Sequence, residues 1–291
     1  MRADNDRIQE PGVRIQNKGI RKDSGFWILN SGFRSLLLSL QFLTIIPVRV
    51  KGTLTEREMA GSAAFFPVAG LVQGIIAALI ALPLLTVFPP AVVSGIVLIC
   101  LTLTNGGFHL DGLADTFDGL AVKSSGDAER DREKRLAVMK DSTTGAIGMV
   151  AVVLTLLLKY QLITLMLTRD LGLLCLMPLF SRWAMVPPLY HGVSARKDGL
   201  GRIFIGHMGV GTVVLSTIVV LAVSGIALSF GKGSAGVFIS MLPILYGFSL
   251  LAAGFFRKRF GGITGDNLGA ISEASEIIYL LVGYIWLQQS I

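Results

Sequence analysis

Three aspartates stand close together in His109-Leu110-Asp111-Gly112-Leu113-Ala114-Asp115-Thr116-Phe117-Asp118-Gly119. Asp111, Asp115 and Asp118 fall at i, i+4 and i+7, which on a helix confines them to an arc of about 60° and turns all three carboxylates one way. Three like charges on one face repel one another and call for a cation between them. Hard carboxylate oxygens suit Mg²⁺, which proteins usually hold with one or two carboxylates and the phosphates of a substrate. Gly112 and Gly119 weaken the helix but admit a substrate or a neighbouring helix at short range. The alternative is an acidic helix tip paired with the basic segment that follows. His109 falls nearly opposite the aspartates on a continuous helix, which leaves capping, packing and catalysis open for it.

Two further polar islands accompany this one. Met139-Lys140-Asp141-Ser142-Thr143-Thr144-Gly145 precedes an apolar run, and Gly261-Gly262-Ile263-Thr264-Gly265-Asp266-Asn267-Leu268-Gly269-Ala270 leads into Glu273 and Glu276. Glycine-rich turns that feed a helix offer backbone N–H groups to anions, although an ordinary tight turn has the same composition. Lys140 adds a point charge suited to phosphate. Glu273, Glu276 and Arg182 lie inside apolar runs, where ionised side chains are costly and face partners or a polar cavity. Arg182 needs either one of these acids or a substrate phosphate. Lys159 is assigned to snorkelling or lipid contact and given no role. Metal, cations and turns at one place are the equipment of phosphoryl transfer. On this reading Asp111, Asp115 and Asp118 hold Mg²⁺, and Asp141 or Asp266 completes the metal site or accepts a proton. Lys140, Arg182, Gly262, Thr264 and Gly265 hold phosphate, with His109, Ser142, Glu273 and Glu276 behind them.

The elements that position these groups follow from composition. Of 291 residues 52% are hydrophobic and 15% charged, against about 25% charged in soluble domains. Mean hydropathy is +0.67. Such a chain predicts an all-α, polytopic integral membrane bundle, and it excludes a cytosolic enzyme or a disordered chain. Cys100 and Cys175 sit in apolar runs and form no metal or disulfide pattern. Apolar stretches predict seven spans, at about 64–88, 91–108, 145–167, 172–190, 210–230, 235–256 and 269–289. Ser35–Val48 is short for a span and reads as an interfacial or re-entrant helix. Residues 1–33 are polar, lack the apolar core of a signal peptide, and are expected to form a flexible cytoplasmic tail ahead of one membrane-embedded domain at 34–291. The acids and bases that alternate through 123–135 read as a solvated loop. With residue 63 inside, the inner connections 109–144, 191–209 and 257–268 carry six, three and three Lys/Arg, and the outer ones zero, one and one. That asymmetry places all three islands on the cytoplasmic side. The net charge of +7 is this bias, and no nucleic-acid partner is expected.

The aspartate segment 109–119, Met139-Lys140-Asp141-Ser142, and Gly262, Thr264-Gly265-Asp266 and Leu268-Gly269-Ala270 closely resemble the cobalamin synthase family. Phe42, Thr44, Pro47, Pro67, Gly70, Gly74 and Ser181-Arg182 add to the resemblance, which covers about residues 35–290. It implies a multi-pass enzyme of the cell membrane with its active site facing the cytoplasm, in contact with membrane lipid. The implied reaction transfers the phosphocobinamide group of adenosylcobinamide-GDP to a hydroxyl of α-ribazole or its 5′-phosphate, with Mg²⁺ as cofactor and GMP leaving. A homo-oligomer and an association with other corrinoid-assembly enzymes are both compatible with it. Two rival classes stand beside this reading. A Mg²⁺-dependent phosphotransferase of CDP-alcohol type is similar in chemistry but different in aspartate spacing. A secondary transporter would use midplane acids and broken helices, but no inverted repeat is visible.

Overall fold

In a chain this apolar the backbone must satisfy its own hydrogen bonds, and the helix does so within one segment. The protein's structure, a computed structural model, describes residues 26–141, 143–230 and 235–289. Residues 1–25 of the expected tail and Ser142 lie outside the described residues. The described chain runs through α1 (Phe26–Leu43), α2 (Glu56–Ser62), a 3₁₀ turn (Ala63–Phe65), α3 (Phe66–Leu84), α4 (Pro90–Thr104) and α5 (Phe108–Ala121). It continues through α6 (Ala128–Val138), α7 (Ala146–Leu167), α8 (Leu171–Ala184), α9 (Val186–His191) and α10 (Leu200–His207). The last three elements are α11 (Val210–Ser229), α12 (Ala235–Phe260) and α13 (Gly265–Gln289).

Six segments among the described residues are long and apolar enough to cross a membrane: Glu56–Leu84, Ala146–Leu167, Leu171–His191, Val210–Ser229, Ala235–Phe260 and Gly265–Gln288. This is the polytopic helical bundle that the composition demands. The expected span at 91–108 is present as a bent helix pair, which makes a seventh span if the pair counts as one. Its helix α4 stops at Thr104, and the chain turns by 86° into α5. Gly106 and Gly107 make that turn with φ of 66° and 75°, a left-handed geometry that a side chain resists. The aspartate helix therefore runs nearly perpendicular to α4. The apolar stretch Gly32–Leu43 is too short to cross, as expected, but α1 already begins at Phe26, within the stretch expected as tail. The 123–135 loop is also corrected: it contains α6, with Asp127 capping its first turn. Hydrogen bonds from Ser124 and Ser125 hold Asp131 down to about 2.

Lipid offers no hydrophobic drive between helices, so association rests on close packing and polar contacts. Leu171–His191 is the most enclosed segment, 83% buried against 17% for Val210–Ser229. It packs along α3, where Gly70 and Gly74 lie against the backbone carbonyls of Pro178 and Cys175. Phe180, Trp183 and Tyr279 fill the core behind it, and the Tyr279 hydroxyl donates to the Leu173 carbonyl at 3.0 Å.

Four helices share one buried ionic cluster. Lys159 of α7 lies 2.9 Å from Glu273 and 2.5 Å from Glu276, both of α13. Arg182 of α8 donates to Glu276 at 2.8 Å, to Ser272 at 2.7 Å and to Gln73 of α3 at 2.9 Å. Gln73 in turn donates to the Leu43 carbonyl at 3.1 Å, which ties in the end of α1. Two cations balance two carboxylates, so the cluster is neutral. This corrects Lys159, which is 3% exposed and faces protein, not lipid. It also decides between the two partners open to Arg182: the partner is an acid, and a side chain 1% exposed does not reach phosphate. Glu273 and Glu276 are buried structural members of the bundle, 2% exposed each, further along α13 than Asp266.

Removing one partner leaves an uncompensated buried charge, which costs about 3–5 kcal/mol. Glu276→Ala is expected to lower stability by that amount in a thermal or denaturant melt of the detergent-solubilised chain. A loss below about 1 kcal/mol, as for a solvated pair, would contradict the cluster's role.

Candidate functional site

A cavity of about 960 Å³ opens where the N-terminal ends of α5 and α13 meet the segment 194–204 and the end of α1. Asp111, Asp266 and His109 line it with Lys140, Arg196, Lys197 and Arg202, and Phe42, Phe108, Met185 and Phe204 form an apolar wall. Phe42 and Phe204 belong to an aromatic trio with Phe66, at centroid distances of 5.2 to 5.9 Å. That trio joins α1, α3 and α10 beneath the cavity.

Asp111 and Asp266 come together because α5 and α13 cross almost backbone to backbone. A side chain at Gly112 would meet the Asp266 carbonyl oxygen at 2.7 Å, and one at Gly269 would meet the His109 backbone at 3.1 Å. Gly112 thus serves the close approach its position implied. The crossing is locked by polar groups. Thr264 and Asn267 cap the start of α13 reciprocally, with Thr264 N–H to Asn267 Oδ1 at 3.0 Å and Asn267 N–H to Thr264 Oγ1 at 3.2 Å. Asn267 Nδ2 then donates to Thr116 Oγ1 on α5 at 3.0 Å. Thr264 is 3% exposed and acts through this cap. Gly262 lies one residue before a bridge in which Ile263 pairs with Ser194, with Ile263 N–H to Val193 O at 2.8 Å and Ala195 N–H to Ile263 O at 3.1 Å. Gly265 is exposed at the cavity rim.

The three aspartates divide. Asp111 is exposed to the cavity, and Asp115 is half-buried one turn on. Asp115 lies within electrostatic reach of Asp111, Asp118 and Asp266, with Arg196 as the cation set against them. Asp118 points elsewhere. Its carboxylate accepts the backbone N–H groups of Gly145 at 2.7 Å and Gly148 at 2.8 Å, and so caps α7. That sets Asp118 apart from the other two, since both its oxygens accept backbone N–H groups in a 9% exposed site. Asp141 is exposed in a turn, accepting from Thr143 N–H at 3.0 Å and Thr143 Oγ1 at 2.8 Å, and it does not line the cavity. Lys140 does line it and lies 3.9 Å from Asp198. His109 also lines the cavity; it is 5% exposed, and its Nδ1 has no hydrogen-bond partner.

Could these residues hold Mg²⁺? Among the described residues no group of three or more His, Cys, Asp or Glu side chains stands ready as a cage. The donors at the mouth are nonetheless of the right kind. Asp111 is free, and Asp266 Oδ2 is buried without a hydrogen-bond partner. Mg²⁺ binds through one or two carboxylates and fills its shell with water and phosphate, so this incomplete acidic set fits it. Arg196, Lys197, Arg202 and Asn267 escaped the sequence reading. The signal for the first three is their charge in 191–209, which in sequence also marks topology.

A family model described as cobalamin-5-phosphate synthase matches residues 35–284. An adenosylcobinamide-GDP ribazoletransferase of Thermodesulfovibrio yellowstonii is 36% identical over 247 residues, 84% of this chain and 94% of the relative. Its namesake in Geotalea daltonii is 37% identical over 249 residues, 85% and 96% of the two chains. That of Clostridium botulinum strain 657 is 35% identical over 255 residues, 87% and 98%. No solved structure matches the chain.

Asp118 and Asp111 are separable by experiment. Asp118→Ala leaves two helix-start N–H groups unpaired and is expected to cost about 1–3 kcal/mol of stability while Mn²⁺ affinity changes by less than about twofold. Asp111→Ala is expected to do the reverse. Loss of Mn²⁺ binding in a folded Asp118→Ala protein would return Asp118 to the metal set.

Proposed function

The chain belongs to the cobalamin-5-phosphate synthase family, and on that premise we propose how its cavity carries out the transfer that its relatives are named for. The chain moves the phosphocobinamide group of adenosylcobinamide-GDP to a hydroxyl of α-ribazole or of its 5′-phosphate. One P–O bond forms to the ribazole oxygen, the bond to the departing phosphate breaks, the hydroxyl loses its proton, and GMP leaves. The observation that carries this reading is the cavity itself, where carboxylates and several cations face one volume large enough for a bulky phosphorylated ligand.

Asp111, Asp115 and Asp266 are the residues that would hold Mg²⁺. Bound there, the metal would neutralise charge on the bridging and leaving phosphate oxygens. Between Asp266 and Asp141 the reading favours Asp266, supported by its place in the cavity lining, where Asp141 is absent. Lys140 and the cations of 196–202 hold phosphate oxygens, the part first given to Arg182. The apolar wall of Phe42, Phe108, Met185 and Phe204 takes up non-polar substrate surface and excludes water. Thr264, Asn267 and Thr116 keep Asp266 against α5 through their hydrogen bonds. The excess of Lys and Arg on this side of the bundle supports a cavity that opens to the cytoplasm from the cell membrane.

The test is GMP release from adenosylcobinamide-GDP and α-ribazole by the full chain in detergent, with no ion gradient. Release is expected to require Mg²⁺. Asp111→Asn and Asp115→Asn are each expected to fall to about 1% of wild type or less, the scale on which a lost charge stabiliser acts, with melting behaviour retained. Near-normal turnover in both variants, or in the presence of a chelator, would contradict the reading.

A further inference from the structure

Arg196 is the cation set closest to the acids that the phosphoryl-transfer reading, on which this inference rests, assigns to the metal. Its Nη2 lies 3.3 Å from Asp266 Oδ2, yet neither atom is in a formed hydrogen bond. Arg196 Nε also lacks a partner. A guanidinium normally places several of its five N–H donors on acceptors, so this one pairs with Asp266 while leaving donors unused. Its backbone, in contrast, is pinned. Ser194 Oγ donates to the Arg196 carbonyl at 2.7 Å, and Ala195 N–H bonds Ile263 O at 3.1 Å. A fixed base carries a side chain that lines the cavity, with unused donors.

We infer that Arg196 is an exchangeable counter-ion: it offsets Asp266 and Asp115 while the site is empty, and it transfers its fork of donors to a diphosphate when a divalent cation replaces it at the carboxylates. The exchange follows from charge balance. Asp115 experiences Asp111, Asp118 and Asp266 together, with Arg196 opposing them. A metal ion entering at Asp111 and Asp266 brings two positive charges, which removes the need for Arg196 there and repels it. The incoming ligand brings phosphate oxygens, whose geometry a guanidinium meets in bidentate fashion. Arg196 would thus couple metal occupancy to diphosphate binding, so that each favours the other.

The consequence has opposite signs for the two ligands. In the full chain in detergent, Arg196→Ala is expected to tighten Mn²⁺ binding, read by electron paramagnetic resonance without substrate, roughly 3- to 10-fold, because a competing charge is gone. The same variant, saturated with Mn²⁺, is expected to bind inorganic pyrophosphate about 10-fold or more weakly by calorimetry. Arg196→Lys keeps the charge but loses the fork, so Mn²⁺ affinity should stay near wild type while pyrophosphate binding is only partly restored. A purely structural role would weaken both ligands together. Unchanged affinities, parallel weakening, or a wild-type chain that binds neither probe would overturn the exchange. GMP release by the wild type is measured separately: if it occurs while the affinities fail to diverge, the exchange is wrong and the reaction stands.

Discussion

The bundle depends on a charge-neutral knot inside the membrane. Lys159, Glu273, Glu276 and Arg182 come from three helices, and Gln73 and Ser272 complete their hydrogen bonding. Each of these ions alone in an apolar interior would be strongly unfavourable, and each is acceptable only with the others in place. The cluster therefore restricts how α3, α7, α8 and α13 can register. Small residues act with it: Gly70 and Gly74 let α3 approach α8 closely enough for Gln73 to reach Arg182. Packing and electrostatics specify one arrangement between them.

The same helix that carries the knot carries the site. Glu273 and Glu276 lie about two and three turns along α13 from Asp266, so anchoring the deep half of the helix also sets the direction of its exposed end. From there the polar character changes. Inside, two carboxylates are matched by two cations at ion-pair distance. At the cavity, Asp111 and Asp266 line the wall with Asp115 half-buried one turn behind, Arg196 is the cation at ion-pair distance from Asp266, and several polar atoms have no hydrogen-bond partner. The bundle thus combines a stable interior with an under-compensated mouth, and the mouth is where a cation and a diphosphate have favourable charge to meet.

Much of this was legible in the residues. The i, i+4, i+7 spacing placed Asp111 and Asp115 on one face, apolar run lengths located most of the helices, and intramembrane Arg182 required a buried partner. What periodicity cannot show is which distant group meets a side chain. Asp118 shares the face of Asp111 but meets the N–H groups of Gly145 and Gly148, about thirty residues later, because α7 starts beside it. Lys159 reads as snorkelling until α13 brings Glu273 against it. The bend after Thr104 was written in Gly106-Gly107, yet an uninterrupted apolar run outweighed it. Arg196 looked like one of several topology-setting charges, and only the bridge between Ser194 and Ile263 turns it into a cavity residue.

The under-compensated acids at the α5–α13 crossing are proposed as the metal-binding element of the cavity. Anomalous diffraction from crystals of the full chain grown with Mn²⁺ and a diphosphate ligand tests it most directly. The account requires manganese density against the carboxylates of Asp111 and Asp266, with Asp118 still bonded to the start of α7. Density centred on Asp118 or Asp141, or a bound diphosphate with no metal at the crossing, would contradict it.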